Sequence, residues 1–459
     1  VSSISNERRV IAAHAGTVLV GQLAVMAFGV IDTIVAGRYA EGALAALSVG
    51  AAIFISVYVS LIGGLQALLP IWAQLHGANR ADELGRSVRQ SLYVCLVAIV
   101  LGMAVLLAPG PLLRWTEVPP TMQATVETYL AVLAWALPPA LLFRVFSTLN
   151  QSLGRPRLVT WLQIGSLCIK LPLSIWFTFG GAGLPAMGLA GAAWATLVVN
   201  YTMLGVALWL MRNAAYYRAY RFWQRIEPPD WHQLRQFARL GVPGGLAVLV
   251  EVTSFTLLAL FIARLGTVSS AAHQIASNLT AVAYMVPLSL GLATSSRVSY
   301  WLGAGDPVKA RHACLTGFGM ALLCSLVVAG LMVALRWKLP VVYSQNPAVV
   351  QMAAVLLLAT AAYHLADSVQ TICVFVLRCY GVAVAPLAIY CALLWGAGLG
   401  GSYWLAFHGF GPFAAMPSPL TFWLTSAAAL WVTALLFVVL LWQTMGKSLR
   451  PGRSDRRSD

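Results

Sequence analysis

Residues 213–236 read NAAYYRAYRFWQRIEPPDWHQLRQ, the longest interior break between apolar windows in the chain. Arg residues alternate there with Tyr216, Tyr217, Tyr220, Phe222, Trp223 and Trp231, and Glu227-Pro228-Pro229-Asp230 is a helix stop. Interleaved basic and aromatic residues also occur on RNA-binding surfaces. Beside long apolar segments, however, they form an interfacial aromatic belt and a positive-inside anchor. The break is therefore read as a linker between two halves.

On either side of it the chain is unusually apolar: 459 residues, 60% hydrophobic and only 9% charged, against about 25% charged in an average soluble domain. A soluble core cannot hide that much apolar surface, which excludes a cytoplasmic enzyme, a disordered chain and a nucleic-acid-binding module. A spanning helix needs about 20 mainly apolar residues. Twelve windows meet that test, the first at Val10 to Gly37 and the last at Leu420 to Trp442. The first is too long for a signal-peptide core and has no small-residue cleavage signal behind it, so it reads as a span. The expected fold is an all-α polytopic membrane protein with twelve transmembrane helices. Its parts are an amino-terminal lobe at 1–212, a cytoplasmic linker at 213–236, a carboxy-terminal lobe at 237–446 and a basic cytoplasmic tail at 447–459.

The two halves repeat. Gly77-Ala78-Asn79 after the second span matches Gly303-Ala304-Gly305 after the eighth at an offset of 226, and Gly154 after the fourth matches Gly381 after the tenth at 227. Nearly equal offsets indicate a duplicated six-helix unit. Because six is even, both copies share one orientation, and the pseudo-two-fold axis lies along the membrane normal. Of the 29 Lys and Arg residues, 23 fall on the side of the termini, and five, Arg38, Arg114, Arg264, Arg336 and Lys338, on the other. That asymmetry places both termini in the cytoplasm. The seven cysteines sit inside apolar runs at no metal or redox spacing and read as packing residues.

An ionisable group at the bilayer centre costs at least ~2.5–3.5 kcal/mol, so each needs a partner or a function. Asp32, Lys170, Glu251 and Asp367 are the four in question. In the tenth span Tyr363, His364, Asp367, Gln370 and Thr371 recur at i, i+1, i+4, i+7 and i+8, a single polar stripe on an apolar rod. The fifth span repeats this with Gln163, Lys170 and Ser174, the eighth carries Gln274 and Asn278, and the seventh sets Ser254 and Phe255 beside Glu251. Each lobe is thus expected to enclose a polar chamber. Glu251 and Asp367 in one lobe suit cation coupling, either as oxygen ligands of Na⁺ or by taking up a proton once desolvated. For Asn278 and Thr371 interhelical hydrogen bonding is the plainer role. His364 has no second His or Cys at ligand spacing and reads as a hydrogen-bonded bundle residue rather than a metal ligand. No cofactor is expected beyond the coupling ion, Na⁺ or H⁺.

From about Arg9 to Met445 the chain resembles the multidrug and toxic compound extrusion (MATE) family, in its NorM-like bacterial branch. The segments that carry the resemblance are Val30 to Gly37, Pro70 to Ala78, Gly241-Val242-Pro243 leading to Glu251-Val252-Thr253, Ala271 to Gln274, Met285 to Ser289, Asp367 to Gln370 and Leu377 to Gly381. The resemblance implies a V-shaped monomeric antiporter of two lobes in the bacterial inner membrane. It would export cationic aromatic drugs and dyes by alternating access in exchange for inward Na⁺ or H⁺, with no nucleic-acid partner. The family's carboxylates fall on Asp32, Glu251 and Asp367. One segment departs from the pattern: the branch's Asn-x-Pro-Leu-Asn is here Lys170-Leu171-Pro172-Leu173-Ser174, with both amides gone and a cation in their place. A lone Lys and a lone Asp in one lobe are expected to pair. A lipid-linked oligosaccharide flippase of the same superfamily would need several cavity Arg residues where only Lys170 is on offer. A membrane enzyme would need paired Asp, His-Glu-x-x-His or Gly-x-x-x-x-Gly-Lys in a loop, and the loops carry none.

Overall fold

A bilayer offers the backbone no hydrogen-bond partners, so apolar windows of this length satisfy themselves as helices. The computed structural model describes residues 2–115, 120–181, 183–409 and 414–449 and contains twelve helices long and apolar enough to cross a membrane. They are α1 (Asn6–Tyr39), α2 (Ala46–Gly77), α3 (Ala81–Leu107), α4 (Met122–Ser152), α5 (Pro156–Phe179), α6 (Leu189–Asn213), α7 (Trp231–Ala263), α8 (Thr267–Gly303), α9 (Pro307–Ala334), α10 (Pro347–Cys379), α11 (Val384–Phe407) and α12 (Pro419–Ser448). Most begin or end beyond the apolar windows, because helical hydrogen bonding continues past the point where hydropathy falls. Two are irregular. α2 is interrupted at Ala67, and α11 widens into π turns over Cys391–Gly400. Residues 450–459 of the basic tail and the side chain of Arg114 lie outside the described residues.

The helices pack as two compact units, residues 17–245 and residues 1–16 with 246–459. These limits depart from 1–212 and 237–446 because packing, not chain order, draws them. In the first unit α4 is the most buried helix, with α2, α3 and α6 against it and Trp72, Leu130 and Leu141 in the core. In the second, α10 lies among α8, α9 and α12 around Leu356, Trp423 and Phe437. The start of α1 joins this second unit: Arg297 grips the Glu7 carboxylate through Nε and Nη2, and Trp301 Nε1 donates to Glu7 at 3.0 Å. Cys95, Cys314, Cys373 and Cys379 are buried packing residues as expected, whereas Cys168 and Cys391 are exposed.

The linker is more than an interfacial belt. Tyr217, Tyr220 and Phe222 are buried, and of its aromatic residues Trp223 and Trp231 are the most outward, 56% and 79% exposed. Arg89 at the start of α3 donates from Nε to Glu227 at 2.9 Å and from Nη1 to the Arg221 carbonyl at 2.7 Å. Gln90 donates to the Pro228 carbonyl at 3.0 Å and accepts from the Asp230 N–H at 2.9 Å. Tyr217 donates to Asn150 at 2.6 Å, and the Arg155 guanidinium lies 3.5 Å from the Tyr216 ring centre. Position 85 has to be glycine, since a Cβ there would come within 1.8 Å of the Tyr220 carbonyl oxygen. The segment is a structured strap on the first unit.

Its central ion pair has a pH signature. The Arg89 guanidinium holds the Glu227 carboxyl at about 2, against an ordinary 4.5. A carboxylate depressed on folding contributes stability that is fully present above its unfolded pKa and is lost as pH falls through the folded one. Glu227→Gln should therefore lower Tm at pH 7, and the gap from wild type should close as pH falls from about 4.5 towards 2. Thermal melts across that window decide it, and a gap that does not change with pH would show that the carboxylate's charge contributes nothing.

Candidate functional site

The stripe on α10 is buried along its whole length: Tyr363, His364, Asp367, Gln370 and Thr371 are each 5% exposed or less. Gln370 organises it. Its Nε2 donates to Asp367 Oδ1 at 2.8 Å and to Thr371 Oγ1 at 3.3 Å, while its side-chain oxygen accepts from the Tyr390 hydroxyl of α11. The amide is thereby fixed in one orientation, which fixes the carboxylate it serves.

Glu251 reaches the same space from α7. It lines a small pocket together with Ser254, Phe255, Tyr363 and Trp423. The three aromatic rings meet edge to face, with centres 5.7 Å apart for Phe255–Tyr363 and Tyr363–Trp423 and 6.2 Å for Phe255–Trp423. Trp423 is held by its Nε1–H, which donates to His273 Nδ1 at 3.2 Å. Since an indole nitrogen only donates, the His273 proton sits on Nε2, towards the Ser277 hydroxyl at 3.2 Å. Trp395, in the π turns of α11, donates to the carbonyl of Val250, the neighbour of Glu251, at 3.0 Å. Glu251 and Asp367 repel one another, and the buried Arg378 guanidinium attracts Glu251. Two acids confined with phenols and a hydroxyl favour holding one positive charge between them, as a bound cation or a proton.

In the first unit Lys170 Nζ lies 2.7 Å from Asp32 Oδ1, the pairing expected of a lone Lys and Asp in one lobe. It also donates to the Ala192 carbonyl at 3.0 Å and the Thr196 hydroxyl at 2.6 Å, both on α6. The ammonium thus has one counter-ion and two hydrogen-bond acceptors. Ser174 sits beside the Asp32 carboxylate. Where α1 meets α5, a Cβ at Gly21 would lie 2.2 Å from Gln163 Oε1, so that amide would have to turn aside.

Some expected members stand elsewhere. Gln274 and Asn278 bond to each other at 3.3 Å on an exposed face of α8. His364 is fully buried, but neither ring nitrogen has a hydrogen-bond partner among the described residues, so it is not the bonded bundle histidine expected. It lies one turn from Ser368, which bonds the Ala321 carbonyl on α9, and so it faces α9 rather than the pocket. Arg144 and Arg378, counted with the cytoplasmic charges, are 7% and 6% exposed, enclosed by neighbouring helices. Tyr390, Trp395, Trp423 and Thr196 were not signalled by the sequence, because none carries a formal charge that would be costly in the bilayer.

The family model described as MatE matches residues 18–176 and 243–404, most of both halves. The chain belongs to the MatE family. The two matched stretches begin 225 residues apart, close to the spacing of the glycine landmarks. Among MatE relatives, the probable multidrug resistance protein NorM of Aromatoleum aromaticum is 35% identical over 93% of this chain and 92% of its own length. The multidrug resistance protein PmpM of Pseudomonas aeruginosa is 33% identical over 97% of this chain and 93% of its own. In structure the protein is similar to the eukaryotic MATE transporter AtDTX14, with a TM-score of 0.86 at 21% identity over 97% of this chain and 98% of that one. It is also similar to the Vibrio cholerae MATE transporter VcmN in the bent form, with a TM-score of 0.82 at 16% identity over 98% and 99%. At such identities the likeness is one of fold.

Proposed function

We propose that this MatE protein is a secondary multidrug efflux transporter of the bacterial inner membrane. As a monomer it exports cationic aromatic drugs and dyes by alternating access, in exchange for inward Na⁺ or H⁺. The observation that carries the reading is the pocket in which Glu251 shares its walls with Phe255, Tyr363 and Trp423. A flat organic cation gains there both a carboxylate and aromatic faces, each cation–π contact contributing about 0.5–2 kcal/mol once water is displaced. Glu251 and Asp367 cannot hold a substrate cation and a coupling cation with equal strength at once, because the second positive charge meets an acid pair already neutralised. Exchange follows from that competition. The names of the relatives, multidrug resistance proteins, support the same reading.

The test is ethidium efflux from proteoliposomes under separately imposed Na⁺ and H⁺ gradients. Acceleration by either supports antiport and identifies the ion, and no response to both refutes it. The proposed orientation, with both termini cytoplasmic, has its own check. A Cys introduced between residues 213 and 236 should resist an impermeant thiol reagent in intact cells, while one beside Arg264 should be labelled. The reverse pattern overturns the orientation.

A further inference from the structure

Arg144 is a buried cation with no counter-ion among the described residues. It lies on α4 two turns before the end at Ser152 and is 7% exposed. Its Nε and Nη2 have no hydrogen-bond partner among the described residues. One turn further on, the fully buried Thr148 presents a hydroxyl that also has none. Residues at i and i+4 share a helix face, so the two sets of donors point the same way. Tyr58 of α2, stacked on Phe54 with ring centres 5.4 Å apart, interacts electrostatically with the guanidinium and adds a phenol to the group. The other buried cations of this unit are treated differently: Lys170 has Asp32 and two further acceptors, and Arg89 has Glu227.

The chemistry of the missing acceptor can be read from the protein's own pairs. Nε and Nη2 form one edge of the guanidinium fork. With that edge Arg89 grips both oxygens of Glu227, and Arg297 grips both oxygens of Glu7. At Arg144 the same edge meets no carboxylate among the described residues. Burying a cation is costly unless an anion accompanies it, and the planar fork fits a carboxylate in bidentate fashion. We propose that Arg144, with Thr148 and Tyr58, is a binding site for a carboxylate, supplied either by a zwitterionic substrate or by a free small carboxylate ion. The substrate alternative rests on the efflux reading above.

The experiment compares a rhodamine bearing a free benzoate with its methyl ester in proteoliposomes, and follows thermal unfolding in acetate against a bulky sulfonate. If the substrate supplies the carboxylate, Arg144→Gln lowers the acid-to-ester ratio of kcat/KM about tenfold, equivalent to about 1.4 kcal/mol. Arg144→Lys recovers only part, because a point charge lacks the fork. If a free ion fills the site, that ratio holds and acetate instead raises the Tm of wild type but not of Arg144→Gln. Thr148→Val removes one donor at constant volume and should shift the same readout about threefold, so it decides the matter should Arg144→Gln fail to reach the membrane. An unchanged ratio together with an acetate-independent Tm overturns the proposal. Failure of wild type to move even the ester counts instead against the efflux reading, and the acetate melts still judge the site.

Discussion

Glu251→Gln and Asp367→Asn should each reduce gradient-driven efflux to the level of protein-free vesicles while leaving folded protein in the membrane. Both changes keep shape and hydrogen-bonding capacity and remove only charge. In Asp367→Asn the amide oxygen can still accept from Gln370, whose other end is held by Tyr390, so the packing of α10 against α11 is kept. What disappears is the acid pair that favours one positive charge in the pocket. Arg239→Gln, on an exposed face of α7, serves as a control for a charge change without loss of function. Efflux assays with matched protein levels provide the check. If both neutral variants pump at the wild-type rate, the acids are interhelical bonding groups and the exchange mechanism is wrong.

Breaking the Lys170–Asp32 pair should have the largest effect on folding. Removing one partner strands the other charge in a space where Lys170 is fully buried and Asp32 13% exposed, and losses of this kind amount to about 3–5 kcal/mol. Lys170→Asp and Asp32→Lys alone should therefore yield little folded protein. The double change should recover part of it, though not all, because the Ala192 carbonyl and Thr196 hydroxyl that serve the ammonium stay beside position 170. Size-exclusion yield and Tm of the three variants measure this. A double variant no better than either single one would mean that the pair contributes no coupling energy. In the proposed mechanism the pair has a further consequence: the Lys170 ammonium on the Asp32 carboxylate repels a second cation such as Na⁺, which leaves cation coupling to Glu251 and Asp367.

Much of this protein was legible in one dimension because a bilayer makes local composition decisive. Twelve apolar windows became twelve helices, since no other backbone arrangement satisfies itself in lipid short of a closed barrel. The duplication showed in two glycine turns, and Asp32, Lys170, Glu251 and Asp367 stood out because intramembrane charge is too costly to be incidental. The α10 stripe was found by periodicity, and it is buried as a stripe should be.

Hydropathy could not say how each helix is rotated about its own axis, because lipid tails and protein interior are equally apolar and either can cover a given face. That is why Gln274 and Asn278 proved to lie on an exposed face and His364 to turn away from the pocket, although their spacing was as suggestive as that of Gln370. Nor could residue type reveal acceptors on the backbone, such as the Ala192 carbonyl under Lys170 or the Val250 carbonyl under Trp395. The linker's aromatic residues read as a belt because their burial depends on Gly85 and Asn150, distant in sequence. Arg144 was counted as a cytoplasmic charge for the same reason. Composition fixes the cost of burying a guanidinium, but only the packing of α2 and α4 determines that this one is buried.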